Sequence, residues 1–237
     1  MWIALDTATD RAALALEIDG RRWQAHLDGA RRHATSLLPM LDALLAEASA
    51  SLASLQGVVV ADGPGSFTGV RVGATVAKAL TAPRRLELWA APSLMGRART
   101  AAAPDGALVV AIANALRGEV YAAAYRMYPA RVETVLAPGV WRPVQLRGAL
   151  PAPAVMVGDA PAAELEALAG WAERLVVWPA SAPDAGALLE LRRCQGGAQR
   201  VAEVDTWEPA YGRPAEAQAR WEAVHGRALP DPGGSAA

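Results

Sequence analysis

The sequence predicts an α/β protein built from two units of one design, each with the order strand, strand, strand, helix, strand, helix (βββαβα). Segments with strand-like patterns alternate with segments whose apolar residues recur every three or four positions, and the order of these segments occurs twice. The turn-forming residues 103–106 separate the two copies. The chain has 237 residues, 53% of them hydrophobic and 20% charged, a balance that supports a large core.

The first unit contains a strong hairpin signal and an amphipathic helix. Asp19-Gly20 lies between two strand-like segments and favours a two-residue turn. Leucines at helical spacing predict the first helix, with Thr35 or Ser36 as its N-cap and Pro39 within a turn of its start. The predicted elements are strands at 2–5, 12–18, 23–27, 57–61 and 86–90, and helices at 34–50, 70–80 and 93–102.

The second unit repeats this order, with strands at 107–113, 119–126, 132–136, 154–157 and 175–177 and helices at 141–150, 160–171 and 184–194. This layout resembles the actin/Hsp70-like (ASKHA) fold. We expect an N-terminal subdomain over residues 1–103 and a C-terminal subdomain over 104–213. The remaining residues, 214–237, contain Pro230, Pro232 and paired glycines and are expected to be partly disordered.

Charge and rare residues exclude several classes of protein. The formal net charge is -1, so no overall positive field attracts nucleic acid or an anionic membrane. Lys78 is the only lysine, which leaves no lysine for a Walker loop or for Schiff-base chemistry elsewhere. Cys194 is the only cysteine, so an internal disulfide is impossible and a cytoplasmic location is expected. No apolar run approaches the roughly 20 residues that span a bilayer.

A glycine-rich segment joins the predicted strand at 57–61 to the following helix. Its glycines have the spacing G-x-G-x-x-x-G, which is neither the Rossmann nor the Walker pattern. Free backbone N–H groups at a helix start can bind an anion, but the spacing favours a structural tight turn. The segment consists of Gly63, Pro64, Gly65, Ser66, Phe67, Thr68 and Gly69.

This segment, extended through Arg71 to Gly73, closely resembles the signature of the bacterial TsaB family, also called YeaZ. Other marks of that family occur in order along residues 2 to about 213. They are Asp6-Thr7-Ala8-Thr9, His33 with Leu37-Leu38-Pro39, Gly118-Glu119-Val120-Tyr121 and Pro209-x-Tyr211-x-Arg213.

The resemblance implies a dimerisation subunit in the synthesis of N6-threonylcarbamoyladenosine (t6A) in tRNAs that read codons beginning with A. Such a subunit is non-catalytic, acts as a scaffold and activator, and needs no cofactor of its own. Its implied partners are the catalytic paralogue TsaD, with which it forms a heterodimer, and the ATPase TsaE. Contact with tRNA is expected to be indirect or weak.

The resemblance also implies a vestigial phosphate loop at Asp6 and Thr7, with no catalytic residue. The matching turn of the second unit reads Asn114-Ala115-Leu116-Arg117, where the family more often has Asp-Ala-Arg, so a carboxylate and a guanidinium are missing. The paralogue carries an H-x-x-x-H metal pair. Here Leu37 stands four residues after His33, so no metal site is expected.

The first two helices are expected to form the partner surface, because their apolar arcs are wider than one sheet needs. In the family these helices pair with their counterparts in TsaD, and the same surface can serve a homodimer. The residues assigned to this surface are Leu37, Leu38, Leu41, Leu44, Leu45, Val72, Val76, Ala79 and Leu80.

Two other functions would each require a site of their own in this chain. An actin-fold ATP-binding phosphotransferase would need a nucleotide-binding segment in the second unit, where only Gly158-Asp159 and Gly196-Gly197 come near that composition. A peptidase would need metal ligands or an activated Ser or Cys, and the sequence offers no such arrangement.

Overall fold

The computed structural model describes residues 1–29, 33–177, 182–212 and 225. Its elements follow the predicted order, with bounds that differ by a few residues. The first half contains β1 (Trp2–Asp6), β2 (Arg11–Ile18), β3 (Arg21–Asp28), α1 (His33–Glu47), β4 (Gly57–Ala61), α2 (Phe67–Thr81), β5 (Glu87–Ala91) and α3 (Ser93–Arg99). The second half contains β6 (Leu108–Asn114), β7 (Val120–Met127), β8 (Val132–Trp141), α4 (Pro143–Ala149), β9 (Val155–Gly158), α5 (Ala162–Ala167), β10 (Arg174–Val176), α6 (Ala185–Leu191) and β11 (Gln199–Arg200).

The strands form two mixed sheets with one shared topology. The first sheet has the order β11-β5-β4-β1-β2-β3 and the second has the order β10-β9-β6-β7-β8. In each sheet the first three strands of the half are antiparallel, and the later strands join in parallel. The predicted order βββαβα is therefore confirmed in each half, where one further strand and one further helix follow it, and the architecture fits the actin/Hsp70-like fold. The short strand β11, which pairs antiparallel with β5, was not predicted.

The hairpin between β2 and β3 forms where Asp19-Gly20 predicted it. Asp19 and Gly20 both have positive φ angles, of 48° and 80°, as a type I′ turn requires. Ile18 pairs with Arg21 directly across the turn, which fixes the register of the whole ladder.

The two central helices are exchanged between the halves. The last helix of the first half, α3, contacts β6, β7 and β9 of the second sheet, whereas α6 contacts β1 to β4 of the first sheet. The two helices also contact each other, and the core cluster around them contains residues of both sheets. The predicted division at residues 103 and 104 stays a prediction, and residues beyond it also complete the first sheet.

Some helix ends differ from the sequence prediction for local reasons. The helix α1 begins at His33, so Thr35 and Ser36 lie inside it and are not its N-cap. Pro39 accordingly lies in the second turn. The helix α2 begins at Phe67, three residues earlier than predicted, because the Ser66 Oγ atom accepts a hydrogen bond from the Gly69 N–H group at 3.2 Å. Within the described ranges, no helix is long and apolar enough to cross a bilayer.

The assignment of the α1 leucines to a partner surface is largely wrong. Four of them lie in the core of this chain, between 1% and 7% exposed, because α1 contacts β2, β3 and α2 and needs a wide apolar arc to cover all three. These four are Leu37, Leu41, Leu44 and Leu45. Leu38, by contrast, is 52% exposed.

Replacing Leu41 with Ala should lower the free energy of unfolding by about 2–5 kcal/mol, because it leaves a cavity in the core. The matched change Leu38→Ala, on the exposed side of the same helix, should change it by less than about 0.5 kcal/mol. Urea denaturation of both variants checks the pair. Equal effects would show that Leu41 is not a core residue.

Candidate functional site

The glycine-rich segment packs directly on the loop that follows β1. The Ser66 N–H group donates to the Ala8 carbonyl oxygen at 2.8 Å, and the Thr7 hydroxyl donates to the Gly69 carbonyl oxygen at 2.7 Å. A Cβ atom on Gly65 would collide with the Ala8 carbonyl oxygen, and one on Gly69 would collide with that of Thr7. Glycine is needed here for close approach of two backbones. This geometry agrees with the interpretation of the segment as a structural turn.

The C-terminal motif packs on the same segment from the other side. The Tyr211 ring lies 4.6 Å from the Phe67 ring, measured between centroids, and the Arg71 guanidinium lies over both rings at 4.7 and 5.8 Å. The Tyr211 hydroxyl donates to the Glu208 carboxylate at 3.1 Å. Two motifs far apart in the sequence therefore form one cluster in space. The third residue of the C-terminal motif, Arg213, lies outside the described residues.

A cleft of about 1070 Å³ opens beside this cluster, between the two halves. Both phosphate-loop-like turns that the sequence singled out contribute to it. The first turn supplies Ala8 and Thr9, and the second supplies Asn114 to Arg117. Its other lining residues are Asp10, Gly65, Ser66, Phe67, Ala113, Glu119, Tyr121, Val140, Asp159 and Tyr211.

Asp6, the acid of the vestigial phosphate loop, lies buried at the end of β1. Burial raises the pKa of its carboxyl group, and a hydrogen bond from the Ala8 N–H group at 3.0 Å and the charge of Arg97 oppose that rise. Arg97, in α3, is only 5% exposed; it donates to the Ile112 carbonyl oxygen at 2.8 Å and forms an ion pair with Asp159. A guanidinium of this chain therefore provides positive charge near Asp6.

Sequence reasoning missed Arg97. The only available signal was a charged residue within the apolar run Leu94-Met95-Gly96-Arg97-Ala98, since such a position on a buried helix requires a partner. Its partners come from β6 and from the residue after β9, and nothing local in the sequence indicates that pairing.

The turn after β6 keeps a defined shape although it departs from the family pattern. The Asn114 Oδ1 atom accepts a hydrogen bond from the Leu116 N–H group at 2.8 Å, so a side-chain amide closes the turn as a carboxylate could. Leu116 and Arg117 have φ angles of 64° and 58°, in the left-handed region that side chains with Cβ rarely adopt. Leu116 is 67% exposed. The turn therefore presents an apolar side chain where the family has a guanidinium.

The H-x-x-x-H metal pair of the catalytic paralogue has no counterpart in this chain. The side chain of His33 lies outside the described part of the structure, and Leu37, four residues later, is buried in the core. His26 lies on β3 and is exposed, and so is His225. Among the described residues, no group of three or more His, Cys, Asp and Glu side chains is placed to hold a metal ion. Cys194 is a free, buried thiol.

The helix α2 retains the part of the predicted partner surface that stays accessible. Ala79 is exposed, and Val72, Val76 and Leu80 are partly buried against the first sheet. With Leu38 of α1 they form the set we call the outer apolar surface. Its role in partner binding stays a prediction.

Asp62, the residue before the glycine-rich segment, is a partly buried acid that the sequence did not single out. Burial raises the pKa of its carboxyl group from 3.8 to about 7. The Oδ1 atom is buried and receives no hydrogen bond. The sequence signal for this site was the position of Asp62 directly after the buried strand β4.

Arg97→Leu should lower the free energy of unfolding by about 3 kcal/mol, because Asp6 would remain buried without the nearby positive charge. Adding Asp6→Asn to this variant should restore part of the loss, since the amide carries no charge. Urea denaturation of the two single variants and the double variant measures the coupling. Purely additive effects would contradict an interaction between these two residues.

Asp62→Asn should stabilise the protein at pH 8 but not at pH 4. The carboxyl pKa is about 7 in the folded state and near 3.8 when unfolded, so the folded state binds the proton more tightly and stability falls as pH rises between these values. Each pKa unit corresponds to about 1.4 kcal/mol, so the increase in the free energy of unfolding has an upper limit of about 4 kcal/mol. Chemical denaturation at both pH values checks it.

The control for this prediction is Asp42→Asn, on the exposed side of α1. It removes a charge without relieving burial and should change the free energy of unfolding by less than about 0.5 kcal/mol at either pH. An Asp62→Asn variant that behaves like this control would show that Asp62 is solvated.

Comparison with known proteins places the chain in a family. Residues 28–165, more than half of the chain, match the family model described as TsaD, tRNA N6-adenosine threonylcarbamoyltransferase. A protein of Escherichia coli (strain K12) named tRNA threonylcarbamoyladenosine biosynthesis protein TsaB is 37% identical over 126 residues, covering 52% of this chain and 54% of that protein. The protein of the same name from Haemophilus influenzae is 36% identical over 120 residues, covering 50% of this chain and 51% of that one.

The chain thus spans about half the length of these curated relatives in the matched regions. A solved structure matches almost throughout. It is described as an uncharacterized protein with similarity to peptidase YeaZ from Pseudomonas aeruginosa, and it superimposes with a TM-score of 0.77 at 29% identity, covering 90% of this chain and 99% of that one. The chain therefore belongs to the TsaD family, as one of its TsaB (YeaZ) members.

Proposed function

We propose that this chain takes part in the biosynthesis of tRNA threonylcarbamoyladenosine as a non-catalytic subunit that binds and activates TsaD, with TsaE joining the assembly. The pathway is supported by the names of the Escherichia coli and Haemophilus influenzae relatives. The partners are those that the TsaB resemblance implies. We place this function in the cytoplasm, as the lone cysteine leads us to expect.

The observation that carries the non-catalytic role is the charge arrangement around Asp6, just before the loop residues Ala8 and Thr9 that line the cleft. Asp6 is buried and has the positive charge of Arg97 near it, and Arg97 is itself paired with Asp159. The turn of the second half provides the amide of Asn114 where the family more often has a carboxylate. A pair of free carboxylates facing each other across the cleft, which could hold a magnesium nucleotide, is therefore not formed by these two turns.

The outer apolar surface supports the scaffold role. Of its α2 residues, Ala79 and Leu80 lie three and four positions after Val76, and Val76 lies four after Val72, so all of them share one side of the helix. A row of accessible apolar side chains on a helix fits a helix of another protein. The buried leucines of α1 contribute indirectly, because they hold that helix on the sheet beside α2.

An ATP-binding phosphotransferase remains the second candidate, and the size of the cleft favours it. At about 1070 Å³ the cleft is as large as the pockets that bind cofactors. Calorimetric titration with magnesium ATP distinguishes the two functions. Tight binding by the isolated chain would favour the phosphotransferase, and the absence of binding heat would favour the scaffold.

Ala79→Glu should abolish the binding of TsaD from the same organism. Ala79 is exposed, so a carboxylate there can reach water in the free chain, whereas in the complex it would be buried without a partner. The cost is several kcal/mol, or roughly a thousandfold in affinity. Copurification, thermal melting and t6A formation by the reconstituted proteins measure the three consequences.

The matched control is Val144→Glu, because Val144 is 77% exposed on α4 in the other half. It should leave TsaD binding and melting unchanged. If Ala79→Glu also binds TsaD normally, the outer apolar surface is not the interface.

A further inference from the structure

A small cavity of about 200 Å³ lies at the edge of the first sheet, away from the cleft. It is formed where β4 and β5 end and where the chain returns through β11. Gln199 and Arg200 are exposed, so the cavity reaches the surface. Its lining residues are Asp62, Ala90, Pro92, Gln199, Arg200, Val201 and Trp207.

One oxygen of the Asp62 carboxylate lacks a partner, although the backbone N–H group of the same residue hydrogen-bonds to the carboxylate. Its Oδ1 atom is buried and accepts no hydrogen bond, although a carboxylate oxygen can accept two. The hydroxyl of Tyr125, in β7, is also buried and unpartnered; burial raises its pKa, and the charge of Asp62 adds to that rise. Buried polar groups in folded proteins are normally hydrogen-bonded, so the Asp62 Oδ1 atom can still accept a hydrogen bond from a bound donor.

Two cations lie beside the cavity, Lys78 and Arg200, and neither forms an ion pair with Asp62. The Nζ atom of Lys78 donates to the Asp205 carbonyl oxygen at 3.2 Å and lies 3.9 Å from the Glu208 carboxylate. Arg200 lines the cavity but is exposed, and burial rather than a neighbouring cation dominates the pKa of Asp62. In the part of the chain that the structure describes, no cation pairs with this carboxylate.

Trp207 contributes an aromatic wall beside the carboxylate. Its ring already attracts one ammonium group of this chain, with the Lys78 Nζ atom 5.9 Å from the ring centroid. An aromatic ring with a carboxylate beside it is the usual environment for a bound ammonium group, which gains a cation–π contact and an ion pair together.

We propose that the Asp62 cavity binds a primary ammonium group. Such a group has three N–H donors for one carboxylate and fits a cavity of this size. An anion is disfavoured because the unpartnered carboxylate would repel it. Calcium or magnesium needs about six oxygen ligands, whereas Asp62 is the only carboxylate among the lining residues. The ammonium group can belong to a free small amine or to a lysine side chain of another protein.

Methylammonium is the first probe, and the Asp62 carboxyl carbon and the Trp207 indole N–H are the NMR reporters. At pH 8 we expect saturable shifts of both signals. At pH 6 the affinity should fall about tenfold, because a carboxyl with a pKa of about 7 is then about one-tenth ionised. Asp62→Asn should lose at least tenfold in affinity, and Asp205→Asn, an exposed acid near the cavity, should lose none.

The second probe, Nα-acetyl-lysine N-methylamide, distinguishes the two sources. Affinity at least tenfold above that of methylammonium supports a lysine side chain, and equal or lower affinity supports a free amine. The proposal is overturned if neither probe gives a saturable shift at pH 8, as expected for a cavity that holds only water. It is also overturned if Asp62→Asn binds both probes unchanged, or if Arg200→Gln markedly raises the Asp62 pKa, which would make Arg200 the natural partner.

Discussion

Arg97 provides the buried positive charge around which the two halves are arranged. It projects from α3, a helix that belongs to the first half by sequence but packs on the second sheet. From there it contacts β6 through the Ile112 carbonyl oxygen, pairs with Asp159 directly after β9, and provides positive charge near Asp6 at the end of β1. A buried guanidinium is tolerated only where carbonyl and carboxylate oxygens surround it, so the ends of these strands must keep their relative positions. Through Asp159, which lines the cleft, this interaction within the chain reaches the cleft wall.

The exchange of α3 and α6 joins the two halves through apolar contacts as well. Each half buries its last helix against the sheet of the other, and one core cluster includes residues of both. Ion pairs add to the link between the hairpin and the central helices, since Glu190 of α6 pairs with Arg22 of β3 and with Arg99 of α3. The cleft is therefore bordered by halves that share one core.

The sequence predicts the fold well because local patterns determine most of it. Asp19-Gly20 specifies its turn, the β-branched run at 57–61 becomes β4 with the same bounds, and the repeated element order anticipates the shared sheet topology. Apolar periodicity, however, predicts only that a side chain is buried. It does not show whether the side chain packs in the core of its own chain or against another protein. Leu41 and Leu44 have the pattern of an interface residue and of a core residue alike, and only the position of α1 over three neighbours decides between them. Arg97 and Asp62 escape prediction because their environments are assembled from distant segments.

The return of the chain to the first sheet affects the order in which this protein can fold. β5 receives its outer neighbour, β11, from residues 199–200, and the glycine-rich segment is covered by residues 210–212. During synthesis β5 therefore lacks its outer neighbour while residues 92–198 are made, a state that invites pairing with other chains. The C-terminal residues remove that edge only after the rest of the fold has left the ribosome. This topology therefore exposes nascent chains to aggregation until β11 pairs with β5.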